Sequence, residues 1–237
     1  MRFLASVSGA DEARIALAGG ADIIDFKDPA HGALGALDPA LVSQGRATVA
    51  GRAPTSATAG DEPLHPERLI AAARRTAATA VDFVKLGLLP GAQRAHCIAA
   101  LAPLCAEMRL VAVFFADREL PRDELADLAA AGFHGAMLDT FDKTRGSLLQ
   151  HHPVAALAPF VAAARAAGLM CGLAGSLRLP DIATLAPLQP DVLGFRGALC
   201  APGGRTAALE LKRVAEVRRA VTAASRTKPG NVNLGRE

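Results

Sequence analysis

Along this chain, short runs rich in β-branched and aromatic residues alternate with Ala- and Leu-rich segments whose apolar positions recur at helical spacing. Strand-like runs fall at residues 3–7, 22–27, 55–59, 83–87, 110–116, 135–139, 170–175 and 192–196. Helical period covers, among other stretches, 11–18, 66–78, 122–131, 154–167 and 206–221. Such alternation predicts βα units around a parallel sheet. Eight strands favour closure into a single (β/α)8 TIM barrel of the α/β class over an open doubly wound sheet. Asp11 stands where an N-cap is expected, with Gly19 and Gly20 stopping the helix.

An internal echo supports equivalent units. Gly20-Ala-Asp-Ile-Ile-Asp, Ala80-Val-Asp-Phe-Val-Lys, Gly132-Phe-His-Gly-Ala-Met-Leu-Asp and Pro190-Asp-Val-Leu-Gly-Phe-Arg each run from a helix end into a buried strand whose last residues turn polar. On this reading residues 1–224 form one barrel domain. The polar, aperiodic stretch 225–237, with Pro229 and Gly230, reads as a flexible tail.

Composition narrows the partners. With 51% hydrophobic and 21% charged residues the chain is that of a globular protein. Its net charge of +3 is mild and it has neither Trp nor Tyr, so the usual stacking groups of a nucleic-acid surface are missing, while small acidic molecules remain open as partners. Cys97, Cys105, Cys171 and Cys200 form neither a C-x-x-C pair nor a His–Cys metal pattern, which points to a reducing compartment. Residues 1–7 lack the character of a signal peptide, and no apolar stretch reaches the roughly 18 residues of a membrane span. The expectation is a soluble, cytoplasmic protein without a membrane partner, and a homo-oligomer is compatible with it. The histidines at 65, 96, 134, 151 and 152 have no metal-ligand spacing, so neither a metal nor another cofactor is called for.

In a barrel the carboxyl ends of all strands meet at one mouth, where active sites form. The polar residues that fall there are Asp25 and Lys27, Ser56 and Thr58, Lys85, Asp139, Ser176 and Arg196. Asp25 and Lys27 are two apart and share a strand face, while Ile24 and Phe26 point toward the helices. Lys85 shares its face with Phe83 and Gly87. A lone lysine in such a place reads equally as half of a structural ion pair with Asp25. Two lysines on different strands, each in an apolar run, favour chemistry. An amine is nucleophilic only when neutral; burial or a neighbouring cation lowers its pKa, and Asp25 opposes that. A protonated imine withdraws electrons from the adjacent carbon, and a second lysine or a carboxylate can take the proton there.

The runs Ala174-Gly-Ser176 and Arg196-Gly-Ala198, followed by Gly203-Gly204, either permit tight turns or offer backbone N–H groups to an anion. Arg196 beside them favours phosphate, with Gly175, Ser176 and Gly197 as the cradle. Lys143 and Arg145 are candidates for a second phosphate or are solvated loop charges. His31, on the loop after Lys27, can shuttle protons or simply be solvated.

These residues carry a resemblance. Ala18-Gly-Gly-Ala-Asp-Ile-Ile-Asp-Phe-Lys-Asp-Pro-Ala-His-Gly-Ala-Leu-Gly-Ala36 resembles the corresponding stretch of the (5-formylfuran-3-yl)methyl phosphate synthase family of methanofuran biosynthesis. Ser56-Ala-Thr-Ala-Gly-Asp-Glu-Pro63, Val84-Lys-Leu-Gly-Leu88, Ala136-Met-Leu-Asp-Thr140 with Lys143, Leu173-Ala-Gly-Ser-Leu177 and Arg196-Gly-Ala-Leu-Cys200 follow in order. Residues 92–116 show no recognisable match, which leaves Asp117 and Arg118 unassigned. The resemblance implies a lyase that condenses two molecules of glyceraldehyde 3-phosphate into a phosphorylated furan aldehyde with loss of phosphate and water. It makes Lys27 the imine-forming lysine and Lys85 its acid–base partner, with Asp25, Asp139 and Lys143 lining the site. Other readings of the same residues are an imine-forming aldolase for another sugar phosphate and a non-catalytic barrel that binds a phosphorylated metabolite. A metal-dependent barrel would need histidines beside these carboxylates.

Overall fold

In the computed structural model, which describes residues 1–121 and 123–226, the eight apolar runs become eight parallel strands. They are β1 (Arg2–Val7), β2 (Ile23–Phe26), β3 (Thr55–Thr58), β4 (Phe83–Gly87), β5 (Leu110–Phe115), β6 (Gly135–Asp139), β7 (Met170–Leu173) and β8 (Val192–Phe195). Each pairs with the next, and β8 closes on β1 from Arg2↔Val192 to Ala5↔Phe195. The barrel is therefore closed, as the strand count predicts. The helices are α1 (Ala10–Ala18), α2 (Pro39–Val49), α3 (Pro66–Ala77), α4 (Arg94–Leu101), α5 (Glu124–Ala130), α6 (Leu148–His151), α7 (Val154–Ala166), α8 (Asp181–Leu185) and α9 (Leu211–Arg226). Residues 227–237, most of the expected tail, and Arg122 of the expected 122–131 helix lie outside the described residues.

Strand alternation sorts the core into two layers. Outward residues such as Ile24, Phe26, Val84, Leu86, Ala112 and Phe114 pack under the helices. Inward residues Phe83, Val111, Val113, Phe115, Met137 and Ala174 fill the barrel with Ala33 and Leu34. Its floor is Leu4, Ile23 and Val192, with Met170 against them. Burying each large side chain of this kind contributes about 1.5–3 kcal/mol, and together they leave room for charge only at the carboxyl end.

The internal echo has a physical meaning. At the start of β2, just before β4 and just before β8 an aspartate reaches back to the strand before it. Asp22 accepts from the Phe3 N–H at 2.8 Å, Asp82 from Thr55 at 2.7 Å and Asp191 from Cys171 at 2.8 Å. Each aspartate's own N–H returns a bond to the carbonyl of the same partner residue. His134 holds the corresponding place before β6 and makes only the backbone half, to Leu110 O at 2.9 Å.

Two local expectations are corrected. Asp11 is not the N-cap of α1; Gly9 is, and Asp11 lies in the first turn, 3.0 Å from Arg14. The polar role passes to Glu12, whose carboxylate accepts from the Ser8 N–H at 2.7 Å and the Ser8 hydroxyl at 2.8 Å. The last helix begins at Leu211 rather than at residue 206. Ala-rich 206–210 has helical propensity, but Leu209 bridges antiparallel to Cys200 and its N–H donates to Glu12, which draws this segment into a loop over the mouth. Among the described residues no helix is long and apolar enough to cross a membrane.

Candidate active site

The loop after β2 shapes the mouth. Asp61 accepts from the N–H groups of Ala33 at 2.6 Å and Leu34 at 2.9 Å, and Thr58 Oγ1 donates to Gly35 O at 2.8 Å. These bonds seat Leu34 inside the barrel, where its side chain reaches Gly87; a Cβ on Gly87 would meet it at 3.1 Å. Gly35 must be glycine, since a Cβ there would lie 2.1 Å from the His31 carbonyl oxygen. The loop thus covers one part of the mouth. What stays open is a pocket of about 340 Å³ whose walls include Lys27, Lys85, Asp139, Lys143, Gly175, Ser176, Gly197 and Arg205.

At its base the charged groups are paired crosswise. Lys27 lies two residues from Asp25 but points to Asp139 across the barrel, Nζ to Oδ2 3.4 Å. Asp25 instead holds Lys85, Nζ to Oδ1 2.8 Å. Asp25 is fully buried and also accepts from Ser6 Oγ at 2.8 Å and Ser56 Oγ at 2.6 Å, so three donors hold it in place. Asp139 carries Lys143 on its other oxygen. Lys143 Nζ also donates to Thr140 O and, at 3.2 Å, to Thr140 Oγ1. An ammonium has three donors, so Lys143 supplies its charge to the site rather than a free N–H for phosphate.

Burial decides the state of Lys27. Desolvation pushes its pKa down to about 8; Asp139 opposes this, while the Lys143 and Lys85 cations add to it. Asp25, named from the sequence as the opposing charge, does oppose it, but after Asp139. For Asp139, burial favours the neutral acid, but the Lys143 and Lys27 cations outweigh it and hold the carboxyl well below the usual range. The result is a lysine of which about a tenth is neutral at pH 7, far more than for a free lysine, beside a carboxylate that stays charged.

The strand seven and eight corner is built from backbone. Gly175 has φ +105° and Ser176 φ +50°, and among the described residues no hydrogen bond starts from the N–H of Gly175, Ser176, Gly197 or Ala198. Two consecutive residues with positive φ, both lining the pocket, leave successive N–H groups without a partner, an arrangement suited to an anion. Arg196 departs from its expected role. Its Nε donates to Arg205 O at 2.8 Å, Nη1 to Ser6 O at 3.2 Å and to Glu12, and Nη2 to Glu12 at 3.2 Å and Ala207 O at 3.1 Å. All five donors of the guanidinium are used inside the protein. Asp117 is likewise structural, accepting from Phe141 N–H at 2.5 Å and Asp142 N–H at 2.9 Å, and Arg118 lies over the Phe141 ring. His31 is exposed on its loop, held by Asp28 at 2.7 Å. Sequence reasoning missed Ser6, whose signal was a lone hydroxyl of inward parity in an apolar strand, and Arg205. Among the described residues no three His, Cys, Asp or Glu side chains gather as metal ligands.

A family model described as 4-HFC-P synthase matches residues 3–218. A candidate (5-formylfuran-3-yl)methyl phosphate synthase of Methylorubrum extorquens is 50% identical over 228 residues, 95% of this chain and 93% of its own. The (5-formylfuran-3-yl)methyl phosphate synthase of Archaeoglobus fulgidus is 34% identical, covering 93% of this chain and 99% of its own. That of Methanocaldococcus jannaschii is 33% identical, over 86% and 92%. Among solved structures, phosphoribosyl anthranilate isomerase of Thermus thermophilus superposes with a TM-score of 0.67 at 16% identity, covering 94% of this chain and 99% of that one. The 3-hexulose-6-phosphate synthase of Salmonella typhimurium gives 0.63 at 15% identity, covering 94% and 100%. At that identity these two show the barrel fold alone.

Proposed function

The chain belongs to the 4-HFC-P synthase family, and from that premise we propose that it condenses two molecules of glyceraldehyde 3-phosphate into (5-formylfuran-3-yl)methyl phosphate through an imine on Lys27. Membership makes it an enzyme of the furan phosphate synthase type, serving methanofuran-type cofactor biosynthesis. The carbon–oxygen lyase chemistry, the substrate and the imine are our reading.

One observation carries it: a buried lysine with its pKa brought down to about 8, facing an open pocket beside a permanently charged aspartate. The neutral Lys27 amine adds to the substrate carbonyl, and the carbinolamine loses water to give a protonated imine. Asp139, 3.4 Å from Nζ, stabilises that cation. Lys85, steadied at 2.8 Å by Asp25, moves the proton at the carbon next to the imine. The open N–H groups of Gly175, Ser176 and Gly197 receive a substrate phosphate. Loss of the proton next to the imine lets phosphate leave the next carbon by elimination. The enamine carbon so exposed attacks the carbonyl of the second triose phosphate to make the carbon–carbon bond. Ring closure and hydrolysis of the imine then release the furan and free Lys27, with two waters lost per product.

The test is incubation with glyceraldehyde 3-phosphate, with and without borohydride. The expected results are a furan product by mass and ultraviolet absorption, and a reduced adduct on Lys27. An adduct without furan would make the chain an aldolase of the same imine type. Neither adduct nor furan would leave a barrel that binds phosphorylated metabolites.

A further inference from the structure

We propose that Arg205, on the loop between β8 and α9, is the side chain that grips the substrate phosphate, and that Arg196 with Glu12 forms the bracket that positions it. The proposal rests on the phosphate reading of the strand seven and eight corner and gives that corner its missing cation.

Three observations lead to Arg205. The first is place. It lines the pocket, and its Cβ lies 3.9 Å from where a Cβ on Gly197 would be, so its side chain starts beside an open N–H group with no side chain between. The second is availability. Its guanidinium donates one bond, Nη2 to Gly32 O at 3.3 Å, and among the described residues it forms no ion pair. The third is charge. Lys85 is matched by Asp25 while Lys27 and Lys143 share Asp139, so cations already outnumber these carboxylates before the pocket-lining Arg178 and Arg205 are counted. Of those two it is Arg205 that starts beside the open Gly197 N–H. A phosphate dianion completes that balance, and a guanidinium fork beside backbone N–H groups suits its oxygens.

The bracket explains why an arginine with all its donors used precedes one with donors to spare. Arg196 fixes the carbonyls of Arg205 and Ala207, while Glu12 neutralises its charge and also takes the Leu209 N–H. The loop that carries Arg205 is thereby tied at both of its sides to the barrel wall. Arg178 also borders the pocket, but it is exposed beside a turn in which its own N–H is held by Asp181. It serves as the control.

Binding of inorganic phosphate is measured by calorimetry on the wild type, Arg205→Ala, Arg205→Lys and Arg178→Ala. Borohydride-trapped adduct is measured with glyceraldehyde 3-phosphate and with unphosphorylated glyceraldehyde. Arg205→Ala should weaken phosphate binding and raise KM for the phosphorylated substrate by about tenfold or more, the loss of a charged hydrogen bond. It should leave adduct yield from unphosphorylated glyceraldehyde unchanged, with partial recovery in Arg205→Lys and a smaller effect in Arg178→Ala. Arg196→Lys, which keeps the charge but loses the five-donor fork, should weaken phosphate binding and spare the unphosphorylated adduct. Unchanged phosphate binding in Arg205→Ala, or equal loss of both adducts, would overturn the proposal. If the wild type gives no adduct with either aldehyde, the imine reading fails, while loss of phosphate binding in Arg205→Ala still upholds this one.

Discussion

Around β2, β4 and β6, cations and carboxylates at the mouth are matched, with Asp25, Lys27, Lys85 and Asp139 standing at strand ends and Lys143 on the loop after β6. At the turns after β7 and β8 the open groups are backbone N–H and, on the loops, the guanidinium groups of Arg178 and Arg205. Strands fix side chains to within small angles, which bond-making at a particular carbon requires. An anion with several equivalent oxygens tolerates more latitude and is well served by turns. On the proposed reading the contrast separates where a bond is made from where the molecule is held, and it predicts that the two sides fail in different ways.

The largest effect should come from the first side. Lys27→Arg keeps the charge beside Asp139 but cannot form a stable imine, and should abolish both trapped adduct and product in a borohydride and turnover assay. Lys85→Ala should keep the adduct and slow turnover by about 10²–10⁴-fold, as expected for loss of a general acid–base. Adduct on Lys85 in the wild type, with Lys27→Arg still active, would reverse the two roles.

The pH dependence sharpens the same side. Lys27 is depressed to about 8, so its neutral fraction rises with pH up to that value and then levels off. Adduct formation in the wild type should fall about tenfold per pH unit below the limb. Asp139 favours the charged form of Lys27, so Asp139→Asn should move the limb to lower pH, and a limb that stays or rises would show that Asp139 does not set the amine's state. The smallest effect belongs to the other side. Gly175→Ala places a side chain at φ +105°, about 3.0 Å from the Thr140 methyl. It should cost about 1 kcal/mol or more of stability by thermal melting and raise KM for the phosphorylated substrate a few-fold, while adduct from unphosphorylated glyceraldehyde persists.

The same division marks what the sequence reveals. Parity along a strand is a local property, so the inward turn of Asp25, Lys27 and Lys85 could be read from two-residue spacing, as could barrel closure from the strand count, although Asp25 lies fully buried below the pocket that the two lysines line. Partner choice is not local. Lys27 turns from its strand neighbour Asp25 to Asp139, because Asp25 is already filled by Ser6, Ser56 and Lys85 from three other strands. Arg196 carried the right signal for phosphate, a cation at a glycine turn, but Glu12 on the far side of the sequence takes it. Arg205 was hidden because Thr206 onward has helical composition; the flanking Gly203 and Gly204 were the clue to a loop.

The bond between Glu12 and Arg196 joins positions 184 residues apart in the chain. Such a contact forms only after the chain between has found its place, when the final strand docks on the first. Its worth should therefore show in the rate at which the native protein comes apart and hardly at all in the rate at which it forms. Glu12→Gln should steepen loss of structure in unfolding kinetics and leave the refolding arm unmoved. On the proposed reading, the bracket that positions the phosphate grip is thus among the last contacts the chain acquires.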